Sequence, residues 1–185
     1  MMLLKPLSLI IFNVRSSILK MIFEMQYRRT EKFIYKREEI CSIFRSDDIE
    51  QIIAKNDYIV SIDFERFVYL RSTLPPDFFD KLALSLREDE LCYISFEDAL
   101  SRWSVISQIP MILILGTTGE SGFYKTRFGS IEFVHVPHSR ELILSNTTAP
   151  YYAIRLAKKF FAFEDLKRID RNMHLIDYEE LYCDD

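Results

Sequence analysis

Apolar positions in the first half of the chain keep a helical period, then switch to a β-type pattern. Ile18, Leu19, Ile22, Phe23 and Tyr27 predict a helix over Ser17 to Phe33. Ile40, Ile43 and Phe44 share the inner face of a second helix over Lys36 to Phe44. A third is expected from Asp47 to Asn56. Ser46 supplies its N-cap, Asp47 and Asp48 complement its positive start, and Ile49, Ile52 and Ile53 form its apolar face. After it, "YIVSIDF" and "RFVYLR" read as two strands around a polar turn at Glu65.

The sharpest interruption is "STLPPDFF", Ser72 to Phe79. Paired prolines cannot continue a strand ladder, and each biases its predecessor to extended geometry. A domain boundary is placed there, dividing the chain into 1–74 and 75–185. Beyond it, Asp77 to Arg87 is an amphipathic helix. In "CYISFEDALSRW", Ser95 and Asp98 have capping-box spacing, ahead of a helix that buries Phe96, Ala99, Leu100 and Trp103. "PMILILG" is a continuous apolar run, as in a strand covered on both faces. Gly116 to Gly122 reads as a loop, and "FYKTRFG", "SIEFVHV" and "ELILS" as three further strands. Ala149 to Arg168 is expected to be the longest helix, and the acidic tail with Tyr178 and Tyr182 to be surface.

Three short helices and a hairpin are the element order of a winged helix-turn-helix. The expected fold class is therefore α+β. An N-terminal winged helix-turn-helix precedes a mixed α/β domain with a small, largely antiparallel sheet.

Composition narrows the function classes. With 185 residues, 49% of them hydrophobic, fifteen Phe and ten Tyr, the chain can bury a full core. A net charge of -4 excludes an overall basic field, so any nucleic-acid role needs a local patch. Cys41, Cys92 and Cys183 are odd in number and far apart, which points to free thiols in a reducing cytoplasm rather than a disulfide framework or a zinc site. In "MMLLKPLSLIIF" the apolar run from Leu7 to Phe12 is too short for a membrane span, and no small-residue cleavage site follows. Residues 1–15 read as a packed or frayed leader.

The stretch "GTTGESG" follows a strand and is glycine-rich, the composition of a phosphate-binding loop. A phosphate cradle needs a helix after its last glycine, yet Phe123 and Tyr124 open a strand. A hairpin loop with glycines at positive φ fits better. Ser121 lacks the second glycine of a nucleophile elbow. His135 and His138 are three apart with a proline between, and a buried, hydrogen-bonded His135 is the preferred reading. No catalytic residue, metal or cofactor is expected. Basic residues carry more. Arg28, Lys32 and Lys36 are four apart, with Arg29 and Arg37 alongside, and would share one side of a continuous helix that neutralises phosphates. Arg66 adds to them from the wing. The helix expected to enter the major groove carries Asp47, Asp48 and Glu50, and offers Gln51, Lys55 and Asn56 for base contact.

The stretch "YISFEDALSRWSVISQIPMILILGTTGESGFYKTRFGSIEFVHV" resembles the AbiEi family of antitoxins from type IV toxin–antitoxin and abortive-infection systems. Tyr93, Ile94, Ser95, Ala99, Leu100, Thr118, Gly119, Thr126, Phe128, Gly129, Glu132, Phe133 and His135 carry the likeness. A later segment keeps Leu156, Ala157, Ala162 and Asp165, with Lys159, Phe160 and Phe161 where the family has Pro-Glu-Lys. The resemblance implies an antitoxin that counteracts a nucleotidyltransferase-like toxin and represses its own operon by binding operator DNA. The toxin-neutralising surface it implies comprises Lys159, Phe160, Phe161 and Asp165. Two rivals stand beside this: a stand-alone winged-helix regulator, and an enzyme acting on nucleotides.

Overall fold

The computed structural model describes residues 7–71, 73–150 and 153–183, with side chains from residue 16 onward. The chain divides into two compact units, Met1–Leu74 and Pro75–Asp185, at the proline pair.

The N-terminal unit runs α1 (Leu7–Thr30), β1 (Ile34–Lys36), α2 (Arg37–Phe44), α3 (Ile49–Lys55), β2 (Ile59–Ser61) and β3 (Arg66–Tyr69). Its sheet is antiparallel in the order β1-β3-β2. Residues 1–6 of the expected leader lie outside the described residues, and 7–15 form the first turns of α1. At its other end α1 stops three residues before the expected Phe33, because Glu31 turns left-handed at φ 54°. That turn frees Ile34–Lys36 to become a strand, where the sequence pattern predicts a gap between two helices with Lys36 opening the second. α3 also starts later than expected. Its N-cap is Asp48, which accepts from the Gln51 N–H at 2.9 Å, while Ser46 Oγ accepts from Asp48 N–H.

Rings hold this unit together. Fully buried Phe23 meets Tyr35 edge-on at 4.9 Å and stacks on Tyr69 at 5.2 Å, with Phe44 and Tyr58 near 6 Å. One α1 side chain thus touches residues of β1, α2, the strand entry and β3. Burial and the nearby Glu24 push the Tyr69 hydroxyl up to about 12, so it remains a donor to Glu24 Oε2 at 3.2 Å.

The C-terminal unit contains α4 (Phe78–Ser85), β4 (Cys92–Ile94), α5 (Phe96–Arg102), β5 (Leu113–Thr117), β6 (Gly122–Thr126), β7 (Gly129–His135), α6 (Arg140–Ser145), β8 (Arg155–Leu156), α7 (Lys159–Arg168), a 3-10 turn at Met173–Leu175 and α8 (Tyr178–Tyr182). Its sheet order is β6-β7-β5-β4-β8. The pairs β6/β7 and β4/β5 are antiparallel, whereas β5/β7 and β4/β8 are parallel. The sheet is thus mixed, not largely antiparallel. β5 lies at its centre, wholly buried, as its unbroken apolar run requires.

Two expectations fail here for local reasons. "ELILS" is the helix α6, not a strand: Ser139 caps the Leu142 N–H, and only Ile143 reaches the core. Ala149 to Arg168 is not one helix. Arg155–Leu156 pairs with β4 and Ala157 N–H donates to the Ile94 carbonyl, so helix begins only after Lys158. At the β6–β7 turn Gly129 adopts φ +144°, and the Phe79 ring lies 2.8 Å from where a Cβ would stand. No helix among the described residues is long and apolar enough to cross a membrane.

Replacing Phe23 with Ala should cost about 3–5 kcal/mol, a large share of what a unit of this size has. Amide exchange across residues 16–71 is expected to accelerate throughout the unit. Exchange raised only in α1 would contradict a shared aromatic core.

Candidate functional site

The most tightly built polar feature is a buried carboxylate. Asp165 on α7 is fully enclosed and accepts from three donors. Tyr93 Oη and Ser95 Oγ donate to Oδ2 at 2.7 and 2.6 Å, and His138 Nε2 lies 2.7 Å from Oδ1. The donors come from β4, from the residue capping α5 and from the segment after β7. Phe161 closes the site, stacked on Tyr93 at 5.7 Å and 5.0 Å from the His138 ring. Burial pushes the Tyr93 hydroxyl well up, and the Asp165 charge pushes it further, which keeps it a proton donor.

This geometry also corrects the expected capping box. Ser95 stands at the start of α5, but its hydroxyl donates to Asp165 instead of accepting from the helix. Asp98 turns to Arg102 at 2.8 Å. In a nucleophilic triad the hydroxyl, imidazole and acid act in series. Here hydroxyl, phenol and imidazole all end on one acid, in parallel, and Ser95 is 0% exposed. The arrangement ties segments together.

The glycine-rich loop differs from expectation in its reasons. Only Gly129 among the four glycines has a positive φ, so Gly116, Gly119 and Gly122 answer to space. The Glu90 carboxylate occupies the place a Gly119 Cβ would take. That carboxylate is paired with Arg87 at 3.1 Å and accepts from Thr117 Oγ1 at 2.8 Å. His135 is exposed rather than buried. Its Nδ1–H donates to the Gly119 carbonyl at 2.7 Å, and its backbone N–H donates to Ser121 Oγ at 2.8 Å. Ser121 and His135 therefore meet, while Asp165 belongs to His138.

The expected basic stripe does not form, because α1 ends at Thr30. Arg28, 78% exposed, lies 3.8 Å from Glu24, and Arg29 is exposed beside it. Lys32 sits beyond the helix, in an ion pair with Glu39. A different grouping appears instead. The β1–β3 register sets Lys36 opposite Arg66, and Arg37 follows over the Phe64 ring at 4.7 Å. Arg66 is paired with Asp63 at 2.8 Å. On α3, Lys55 Nζ donates to Gln51 Oε1 at 2.6 Å, and both side chains are exposed. Asp47, Asp48, Glu50 and Asp63 line the depression between the start of α3 and the β2–β3 turn.

The expected neutralising surface also changes. Asp165 is interior, and Lys159 is buried, its Nζ donating to the Glu180 and Cys183 carbonyls at 3.3 and 2.9 Å. Phe161 is half-buried against Tyr93. Phe160 alone of the four is exposed, tilted against Tyr182 at 5.7 Å.

One network had no sequence signal. Arg171 binds both Glu97 oxygens at 2.8 Å and Glu132 Oε1 at 2.8 Å, and Asn172 Nδ2 donates to Glu97 at 2.8 Å. Burial alone would raise the Glu97 carboxyl, but Arg171 and Asn172 outweigh it and hold it below the ordinary value. Partners 74 residues apart leave no local pattern to read. Among the described residues no group of three His, Cys, Asp or Glu could hold a metal ion.

No family model matches the chain, and no curated protein matches it.

Asp165→Asn should destabilise the C-terminal unit by about 2–4 kcal/mol, since its amide sets a donor against donors in a buried site. Trp103 is the sole tryptophan and lies in this unit, donating to the Ala157 carbonyl at 2.7 Å. Its fluorescence in a urea titration reads the shift, and an unmoved midpoint would refute the clasp. Glu97, held low by Arg171, contributes stability above its unfolded value that is lost as pH falls through its depressed folded value. Glu97→Gln should accordingly flatten the acid limb of the Trp103 unfolding profile.

Proposed function

We propose that this chain is an antitoxin of the type IV toxin–antitoxin class. Residues 75–185 counteract a nucleotidyltransferase-like toxin, and 1–74 form a winged helix-turn-helix that binds operator DNA. The observation that carries the reading is convergence. Tyr93 and Ser95, quoted above for their likeness to the AbiEi pattern, lie 72 and 70 residues from Asp165, quoted with them, yet meet it within 2.7 Å. The other quoted residues also have physical partners. Thr126 Oγ1 donates to the Gly129 carbonyl, Phe128 packs on Phe78 at 4.7 Å, Glu132 meets Arg171 and His135 meets Gly119. These contacts support the reading.

The N-terminal element order supports the DNA half of the proposal. Helix, strand, helix, helix, strand, strand, with the sheet ordered β1-β3-β2, supports reading the unit as a winged helix. α2 and α3 are its helix pair, and the β2–β3 turn is its wing. In such motifs the first helix of the pair crosses the phosphate backbone. Lys36 and Arg37 stand at the start of α2, where helix N–H groups add to their charge. Acids at the start of α3 repel phosphate, so binding is dominated by backbone contacts and is steeply salt-dependent.

Two measurements test this. Co-expression with the product of the adjacent open reading frame should show toxicity that this protein relieves. Failure to relieve it rejects the antitoxin. In mobility-shift titrations over a salt series, Lys36→Ala with Arg37→Ala should lower the slope of log affinity against log salt by about 2, one unit per lost phosphate contact. Lys32→Ala, already engaged by Glu39, should leave that slope in place. An unchanged slope in the double variant would remove the start of α2 from the interface.

A further inference from the structure

Helix α1 carries two apolar stripes, and its own unit uses one of them. Leu19 and Phe23 are buried in the core. On another side of the helix Ile18, Met21 and Met25 are 51%, 58% and 59% exposed. Apolar residues exposed singly are ordinary, but three along one stripe of one helix form a patch. Their steps, of three and then four residues, are those of a coiled-coil seam. The helix backbone carries the same register back through Val14, Ile11 and Leu7. Alternating steps of four and three thus join six consecutive apolar positions, which make three heptads. The next position in the register is Arg28, and the seam stops there.

Residue types along the seam select its partner. With Leu7, Val14 and Met21 as the d positions, Ile11, Ile18 and Met25 are the a positions. β-branched residues at a, with Leu among the d residues, favour two parallel strands. The flanking positions agree. In a parallel pair each g position faces the e position five residues further along the other helix. Glu24 then faces Arg29, Ser17 faces Ile22 and position 10, an isoleucine, faces position 15, an arginine. No like charges meet, and one pair is of opposite sign. An antiparallel pair over the same six layers would instead set position 15 beside its own copy, arginine against arginine. The stripe is also narrow, since Ser17, Glu24 and Arg28 border it on one side and Arg29 on the other. A lipid surface takes a broad apolar arc ringed by cations, and Glu24 at the border opposes anionic headgroups.

We infer that this seam pairs with the same seam of a second copy of the chain, in a parallel two-stranded coiled coil. A two-fold contact of this kind is self-complementary, because every apolar layer meets its own copy. At 24 residues α1 is about 36 Å long, which gives the six layers their full length. Met21 and Met25 close the end of the seam nearest the core of the unit, where unbranched side chains adapt to the gap. One helix therefore serves two interfaces: Phe23 gathers the rings of its own unit, and the stripe of Ile18, Met21 and Met25 meets the other chain. The inference stands apart from the antitoxin reading. Under the proposed operator-binding role, the paired chains would present two N-terminal units to two half-sites.

Light scattering of the full-length protein over a concentration series tests this. Wild type should have twice the mass of one chain. Ile18→Glu and Met21→Glu should each weaken the dimer about a hundredfold or more, since each sets two carboxylates against one another in an apolar seam. Met21→Cys supplies a reading that needs no loss of association. Two copies of a d position lie side by side in a parallel pair, so this variant should cross-link under oxidising conditions faster than wild type with its own three cysteines. Lys20→Cys, exposed on the same helix but off the seam, should cross-link no faster than wild type. A wild-type monomer at every concentration overturns the inference. So does a dimer that both Glu variants leave intact, or cross-linking as fast through position 20 as through position 21. Wild-type monomer that sediments with anionic phospholipid vesicles would assign the stripe to a lipid surface and likewise overturn it.

Discussion

A single buried carboxylate organises the C-terminal unit. Asp165 has no access to water, so every favourable contact it makes must come from protein. Three donors supply those contacts, two from the junction of β4 and α5 and one from the segment after β7. The cost of leaving such a group unsatisfied far exceeds the gain from any one bond. β4, the start of α5, α7 and the segment after β7 are thereby held in one arrangement. Much else follows from it. The Tyr93 ring, fixed by its hydroxyl, lies against Gly116 so closely that a Cβ there would stand 2.7 Å away. β5 can pair with β4 at that point because position 116 has no side chain.

The N-terminal unit solves the same problem without buried charge. Phe23 replaces the carboxylate as the common point, and aromatic rings replace hydrogen-bond donors. Its surface sets the style of binding it can support. Acids gather where α3 begins, and the cations near the β2–β3 turn are partly neutralised by Asp63. Under the proposed operator-binding role, such a surface favours contacts that depend on spacing along a phosphate backbone over close reading of base edges.

Where the chain's own periodicity dominates, element positions were legible. β5 is buried on both faces, and from Leu113 to Gly116 it carries no polar side chain. β6 and β7 follow from alternation, and the break at Leu74 follows from two prolines. What was not legible depended on partners far away. Ser95 has the spacing of a cap, yet a carboxylate seventy residues on claims its hydroxyl. "ELILS" has strand composition, but no sheet edge receives it and a serine cap does. The basic stripe assumed that α1 continues, and one left-handed residue, Glu31, ended it. Asp165 was visible as a candidate through resemblance, while its placement inside rather than on the surface was not. His138 was passed over for lack of a third metal ligand, because a carboxylate partner 27 residues on leaves no local trace.

The loop after β5 carries a last implication. Its glycine spacing invites comparison with loops that wrap a phosphate. Yet an anion is already seated there, since Glu90 fills the hollow at Gly119 and is anchored by Arg87 and Thr117. The protein has, in effect, furnished its own occupant. A nucleotide approaching this turn would meet like charge in a place already taken, and evicting that tenant would break the links that join the segment after α4 to the end of β5.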